Sequence, residues 1–300
     1  MKSRIKKIII NLLGTVASIG YDRCDTVFVS GTGRSGTTWV AEVLSKQMNF
    51  TLVNEPFNVG PNQEWRPSEF GFEKVNYWPQ SIDKECKKYI NNVAFGKELH
   101  LSWGDFDPLE FATSNGYVVK AVLVNPCFAK VLKVTGSPGV FLIRHPCGVV
   151  SSQQNHPGWA HFSKQSRKLP AEVARDYPRF EAVFNSISSQ LEVLAFWWAV
   201  ENIITLRTPR PHPWELVSYE SLVRDPVGEF ARLIESVDGE SPSLKQLKRD
   251  VQKPSSSTRE YSQPGKSPTS IWKERLSPKE VDTIYRVVEE CGFERWDLFE

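Results

Sequence analysis

Residues 27–40 read VFVSGTGRSGTTWV. The apolar run at its start has no polar alternation, which is the pattern of a strand buried on both faces of a parallel sheet. Gly31, Gly33 and Gly36 then fall within six residues, so the backbone can turn sharply and approach a ligand closely. The segment that follows has helical spacing, and a helix that opens on such a loop aims free N–H groups at an anion. Gly31, four residues and Gly36 reproduce the spacing of the G-x-x-x-x-G-K-[ST] phosphate signature, except that Thr37 occupies the lysine position. The loop therefore suits a phosphate that is not the end of a triphosphate.

The rest of the chain extends this unit. Strands are expected over 26–30, 51–54, 117–124, 139–144 and 214–219, with helices over 37–47, 127–134, from about 147, 188–206, 220–236 and from 277 onward. Apolar strands separated by helices predict an α/β, P-loop-like three-layer fold: a central, mainly parallel sheet with helices on both faces. The helix over 188–206 is expected to carry Leu191, Leu194, Ala195, Trp198 and Ile203 on one stripe. The segment 58–114 is rich in Trp, Pro, Gly and Asn and is expected to be an insertion that covers the site. Its Trp65, Trp78 and Trp103, like the stretch Asn155-His156-Pro157-Gly158-Trp159, are candidates for stacking on sugar rings as well as for the core. Residues 25–300 form one domain in this reading. At 300 residues with 40% hydrophobic and 12% aromatic content, the chain can bury a large core.

Residues 1–24 are a separate N-terminal segment in which Lys2, Arg4, Lys6 and Lys7 precede an apolar run over 8–19. That run is shorter than the ~20 residues a spanning helix needs. It is expected to pack on the domain or rest on an anionic membrane surface, with a short uncleaved anchor as the alternative. The five cysteines are scattered and include no C-x-x-C pair, which points to thiols in a cytoplasmic, reducing setting and away from a metal site. Thirty-seven basic residues against 35 acidic ones leave a net charge of +2, too balanced to indicate nucleic acid as partner. Any anion site is then a local cluster.

In an open parallel sheet, ligands bind beyond the carboxyl ends of the strands, and several chemistry-bearing residues fall there. The hydroxyls of Ser35, Thr37 and Thr38 add donors to the first loop. The strand over 139–144 ends in Arg144, with Ser152 eight residues later; an arginine at a strand tip can grip a phosphate bidentately, and the serine can reach the same group. Glu55 follows the second strand, where Pro56 stops simple continuation, and its carboxylate can accept a proton. His100 is the reserve base. Lys120 is a lone charge within the apolar run YVVKAVLV and needs an anion, either a transferring group or a carboxylate.

Two anion sites without the loop lysine resemble the sulfotransferases that use 3′-phosphoadenosine 5′-phosphosulfate (PAPS). GRSGTTW, residues 33–39, resembles that family's 5′-phosphosulfate loop, and Arg144 with Ser152 resembles its 3′-phosphate motif. The resemblance runs in element order from about residue 26 to the C-terminus, and it implies PAPS as co-substrate and no metal. It implies that Gly33, Arg34, Ser35, Gly36, Thr37 and Thr38 wrap the 5′-phosphosulfate, with Arg34 neutralising the leaving phosphate. By the same resemblance Trp39 stacks on adenine, Tyr219 lies near the base edge, and Gly265-Lys266 matches a late loop over the 3′-phosphate, although the family's Arg-Lys-Gly order is absent. Glu55 resembles the glutamate base of carbohydrate and bacterial members, whereas cytosolic small-molecule members use a histidine, for which His100 is the candidate. Lys120 is assigned to the transferring sulfuryl group. The implied reaction is sulfuryl transfer to a hydroxyl on a small molecule or glycan, with a carbohydrate or glycolipid foremost. The alternatives are a P-loop kinase or nucleotidase, which needs a Walker lysine and an acidic strand end, and a non-catalytic nucleotide-binding protein.

Overall fold

A computed structural model describes residues 26–58, 84–97, 114–209, 214–257 and 267–300. Its first elements are β1 (Thr26–Gly31), α1 (Thr37–Met48), β2 (Thr51–Asn54), α2 (Lys84–Ala94) and β3 (Tyr117–Lys120). A 3₁₀ helix (Val122–Cys127), α3 (Phe128–Thr135), β4 (Gly139–Ile143) and α4 (Pro146–Gln154) follow. Next come α5 (Ala171–Asp176), α6 (Pro178–Ser186), α7 (Gln190–Arg207) and β5 (Trp214–Ser218). The chain closes with α8 (Tyr219–Arg224), α9 (Pro226–Asp238), α10 (Leu244–Asp250), α11 (Trp272–Arg275) and α12 (Pro278–Glu290).

The strands form one parallel sheet in the order β2-β3-β1-β4-β5. Because every strand runs the same way, Gly31, Asn54, Lys120, Ile143 and Ser218 all end at one edge. Alternation along β1 sends Val27 and Val29 to one face, against Val40 and Leu44 of α1 and Phe230 of α9. Phe28 goes to the other face, against Phe128 of α3 and Tyr89 of α2. A third cluster, centred on α7, joins α4, α6 and α12. The expected α/β, three-layer architecture is thus the observed one, with an additional helical body beside the sheet.

Four local expectations are corrected. The strand predicted over 117–124 ends at Lys120, where Ala121 donates its last sheet bond to Val29 O at 2.9 Å and the chain turns into the 3₁₀ helix. Val122 to Val124 are apolar because they meet a cavity and the core, which periodicity does not separate from strand burial. The helix predicted over 220–236 is two helices, because Pro226 excludes Asp225 from helical conformation and Asp225 instead caps α9, accepting from Gly228 N at 3.0 Å. Helix α7 shows no single apolar stripe: twelve of its eighteen residues are buried, and Leu191 is only partly so. Inside the aperiodic segment 58–114, α2 is a regular helix that buries Cys86, Tyr89, Ile90, Val93 and Ala94.

Cys86, Cys127, Cys147 and Cys291 are buried thiols with no disulfide among the described residues. Among the described residues no helix is long and apolar enough to cross a membrane. The N-terminal segment, Cys24, the three tryptophans at 65, 78 and 103, His100 and Gly265-Lys266 lie outside the described residues.

Candidate active site

The carboxyl edge of the sheet opens into a cavity of about 1270 Å³, above the roughly 300–1,000 Å³ usual for a single small ligand. Of the described residues singled out above, Gly33, Arg34, Gly36, Thr37, Thr38, Trp39, Glu55, Lys120, Arg144, Ser152 and Tyr219 line it. Ser35 is fully buried behind this wall, and its Oγ has no hydrogen-bond partner among the described residues.

The loop from β1 to α1 is a tight structure. Ser35 N–H donates to Thr32 O at 2.9 Å, and Gly31 N–H donates to Asn125 Oδ1 at 2.9 Å, which ties the loop to the 3₁₀ helix. Two of its positions need glycine. Gly36 has φ 101°, and a Cβ there would lie 2.7 Å from the Tyr219 ring. A Cβ on Gly33 would lie 2.9 Å from the Trp159 indole. Arg34, which is not glycine, has φ 79°, a conformation with a cost of order 1–3 kcal/mol that clusters at functional sites. Gly36 is the N-cap of α1 and no side chain caps that helix, so its first-turn N–H groups remain for a bound anion.

The two anion clusters expected from the sequence are knitted together. Arg34 Nε donates to Ser152 Oγ at 3.1 Å, and Arg144 Nη1 donates to Arg34 O at 3.0 Å. Arg144 Nη2 donates to Pro268 O at 2.7 Å, and the guanidinium lies 4.3 Å from the centre of the Tyr219 ring. Arg144 Nε is buried without a partner among the described residues. Gln153 reaches back to Gly33 O at 2.9 Å. Trp39 stands edge-on to Phe230 and Tyr219, at centroid distances of 5.1 and 6.2 Å. Burial pushes the Tyr219 phenol upward, with Arg144 opposing it.

On the other side of the loop, Glu55 and Lys120 form an ion pair at 2.8 Å, with side chains 15% and 11% exposed. Glu55 Oε2 also accepts from Val122 N–H at 3.1 Å, and Lys120 Nζ donates to Asn54 Oδ1 at 3.1 Å. Glu55 has φ 53°, and its own N–H donates to Lys120 O at 2.8 Å. The carboxylate is therefore fixed from both its backbone and its side chain. The charge that Lys120 needed is, in this structure, Glu55.

Sequence reasoning missed a second charged pair on the wall. Arg167 Nη2 lies 3.0 Å from Glu201 Oε1, and Thr32 of the loop also bonds to Glu201. Burial raises the Glu201 carboxyl, with Arg167 opposing it. A signal existed: Glu201 is the one charge in the run AFWWAVENII, as Lys120 is in its strand. Arg167, in a polar stretch, had none.

No protein-family model and no curated protein matches this chain. Solved structures similar to it include the sulfotransferase domain from the curacin biosynthetic pathway, at 16% identity and TM-score 0.47 over 89% of this chain and 97% of that one. The sulfotransferase domain of the Synechococcus PCC 7002 olefin synthase aligns at 12% identity and TM-score 0.46, over 90% and 94%. Retinol dehydratase, in a complex with androsterone and the inactive cofactor PAP, aligns at 16% identity and TM-score 0.44, over 94% and 85%. Likeness this distant assigns no activity by itself.

Proposed function

We propose that the chain transfers a sulfuryl group from PAPS to an acceptor hydroxyl. The observation that carries this reading is the pairing of two anion anchors in one cavity, the 33–38 loop with Arg34 and the Arg144–Ser152 pair, with no loop lysine. They suit a nucleotide that carries an anion on each side of its ribose. Among the described residues Ser35 Oγ and Arg144 Nε are buried donors without partners, and the absence of side chains at Gly33 and Gly36, where Trp159 and Tyr219 leave no room for one, lets the loop backbone be approached closely. These features fit a bound phosphosulfate.

When bound, the donor supplies the sulfuryl group and a phosphate leaving group. Glu55 takes the proton of the acceptor hydroxyl as its oxygen forms the new S–O bond and the bond from sulfur to the phosphate oxygen breaks. Arg34 and the α1 N-terminus hold the charge that collects on the leaving phosphate. Protonation of Glu55 also removes the negative partner of Lys120, whose ammonium is then available to the equatorial oxygens of the transferring group. Trp39 and Tyr219 provide the adenine side.

The finer expectation, a carbohydrate or glycolipid acceptor, draws support from the indole of Trp159 on the cavity wall. The Arg167–Glu201 pair is the charged part of that wall, and Leu123, Phe162, Leu194 and Trp197 add apolar area to it. The lipid or ring portion of an acceptor fits that apolar area.

The test is calorimetric titration of the protein with adenosine 3′,5′-bisphosphate, adenosine 5′-monophosphate and ATP. The bisphosphate should bind far more tightly than the other two. Equal affinity with and without the 3′-phosphate overturns the assignment, and preference for ATP favours the kinase alternative.

A further inference from the structure

On one part of the cavity wall, α7 presents Leu194, Trp197 and Glu201 at spacings of three and four, the repeat of one helix face. Leu123 of the 3₁₀ helix, Phe162 and Arg167 join them on the wall. The guanidinium carbon of Arg167 lies 4.9 Å from the Phe162 ring centre and 4.5 Å from that of Trp197, so the cation is held between two aromatic rings. Glu201 meets it at 3.0 Å, and the two side chains are only 12% and 13% exposed. Taking both charges out of water is costly, and such pairs contribute little to stability compared with an apolar packing of the same volume. Their position among Leu123, Phe162, Leu194 and Trp197 is therefore poor economy for the fold alone. It is well suited to recognition. The cation and carboxylate offer a donor and an acceptor side by side, the complement of a hydroxyl, and their orientation is set before any ligand arrives. The surrounding rings and Leu194 offer area to an apolar body.

We propose that this part of the cavity is an acceptor subsite for an alcohol with an apolar ring body and a second hydroxyl, the second hydroxyl being recognised by the Arg167–Glu201 pair. The inference rests on the sulfuryl-transfer reading, in which Glu55, on the same cavity, takes the proton of the first hydroxyl. Arg167 and Glu201 are specificity-determining residues in this scheme and do not touch the transferring group. Glu201 also bonds Thr32, so an occupied subsite is in mechanical contact with the donor loop.

The experiment compares 4-phenylcyclohexanol, 4-(4-hydroxyphenyl)cyclohexanol and methyl glucoside as probes, titrated into the full chain with and without adenosine 3′,5′-bisphosphate and followed by tryptophan fluorescence. The hydroxyphenyl compound should bind about tenfold more tightly than 4-phenylcyclohexanol, the yield of one well-made hydrogen bond to a charged pair. Methyl glucoside should not saturate over the same range. Arg167→Lys and Glu201→Gln should each remove most of the tenfold preference while moving the affinity for 4-phenylcyclohexanol by less than about threefold. Equal affinity for the two ring alcohols in the native protein overturns the proposal, whether or not the variants fold. So does a preference that survives in both folded variants, failure of both alcohols to bind, or methyl glucoside binding as well as they do. Failure of adenosine 3′,5′-bisphosphate to bind overturns the sulfuryl-transfer reading instead, and the alcohol titrations, read as binding and not turnover, keep the two failures apart.

Discussion

Arg144 ties together three parts of the site: it bonds to the carbonyls of Arg34 and Pro268 and lies over Tyr219. If it also holds the 3′-phosphate, Arg144→Ala should weaken adenosine 3′,5′-bisphosphate binding by about 2–4 kcal/mol, the size of a lost charge-assisted, bidentate contact. Calorimetry on the variant checks this, with circular dichroism to confirm the fold; an unchanged Kd removes Arg144 from the donor site. Glu55 invites a different substitution, because its geometry is fixed by Val122 N–H and Lys120 and an amide keeps its shape while losing basicity. Glu55→Gln should lower kcat by roughly 10²–10⁴ with donor affinity nearly unchanged, and His100→Ala should cost far less. Steady-state rates on the two variants decide between the bases, and normal turnover in Glu55→Gln with an inactive His100→Ala reverses the assignment. Next to Arg144, His145 stacks on Trp272 at 4.9 Å. Its burial, followed by the nearby charges of Lys273 and Arg144, brings its pKa down to about 4. Below pH 6.5 the unfolded chain accepts a proton that the folded chain refuses until about pH 4. Stability from this group is thus complete above pH 6.5 and falls as pH drops towards 4, by at most on the order of 3 kcal/mol. Denaturation midpoints across that window should fall less steeply in His145→Gln than in the native protein; parallel slopes would show that His145 does not carry the effect.

Helix α7 links the donor loop, the proposed acceptor wall and the core, which explains why it is apolar on nearly every side. Trp198 is fully buried, and its indole N–H donates to Arg144 O at 3.0 Å; Asn202 Nδ2 donates to Thr32 Oγ1 at 2.9 Å. Trp198→Ala should therefore cost about 3–5 kcal/mol of stability, the range for a large aromatic removed from a core. Ser189→Ala, which removes only the capping box at the start of the helix, should cost about 1 kcal/mol. Urea denaturation of both variants checks the ordering, and equal losses would mean that the helix is held by its end and not by its packing. The same element shows where sequence signals stop. A helix with one apolar stripe declares its buried face, but one enclosed by α4, α12 and the 3₁₀ helix has no polar face to set the period. β1, α1 and β4 were legible because unbroken apolar runs met glycine or arginine at a strand tip. The break at Asp225-Pro226 was missed, although the proline itself signals it. Helix α2 was obscured by aperiodic sequence on both sides, and the end of β3 by apolar residues that serve a cavity.

Across the whole chain the charges nearly cancel, yet the described wall of the cavity carries six cations, Arg34, Lys120, Arg144, Arg167, Lys253 and Arg275, against two carboxylates, Glu55 and Glu201. The concentration arises from topology. Parallel strands bring their carboxyl ends to one edge, and residues 34, 55, 120, 144 and 219, far apart in sequence, converge there. The tips of β1 and β4 could be read from their own strands, whereas Lys120 was placed inside a longer strand; Arg167 and Glu201 lie on the 159–167 segment and α7, whose meeting depends on long-range packing that no local pattern records. The charge balance of the cavity also makes a prediction about cofactor demand. A P-loop kinase neutralises its triphosphate with a loop lysine and a Mg²⁺ held by an acidic strand end. Here Thr37 stands at the lysine position, β4 runs into Arg144, and both wall carboxylates are already bonded to cations. The side chains themselves thus supply the positive charge that an in-line transfer from phosphosulfate requires. Sulfuryl transfer should proceed at full rate in EDTA, and ATP should neither be hydrolysed nor act as a donor. Turnover with labelled PAPS, before and after exhaustive chelation, together with phosphate release from ATP, measures both. A rate that collapses on chelation and returns with Mg²⁺ would overturn the claim that the side chains alone supply the charge, and phosphate released from ATP at a comparable rate would assign the cavity to phosphoryl chemistry.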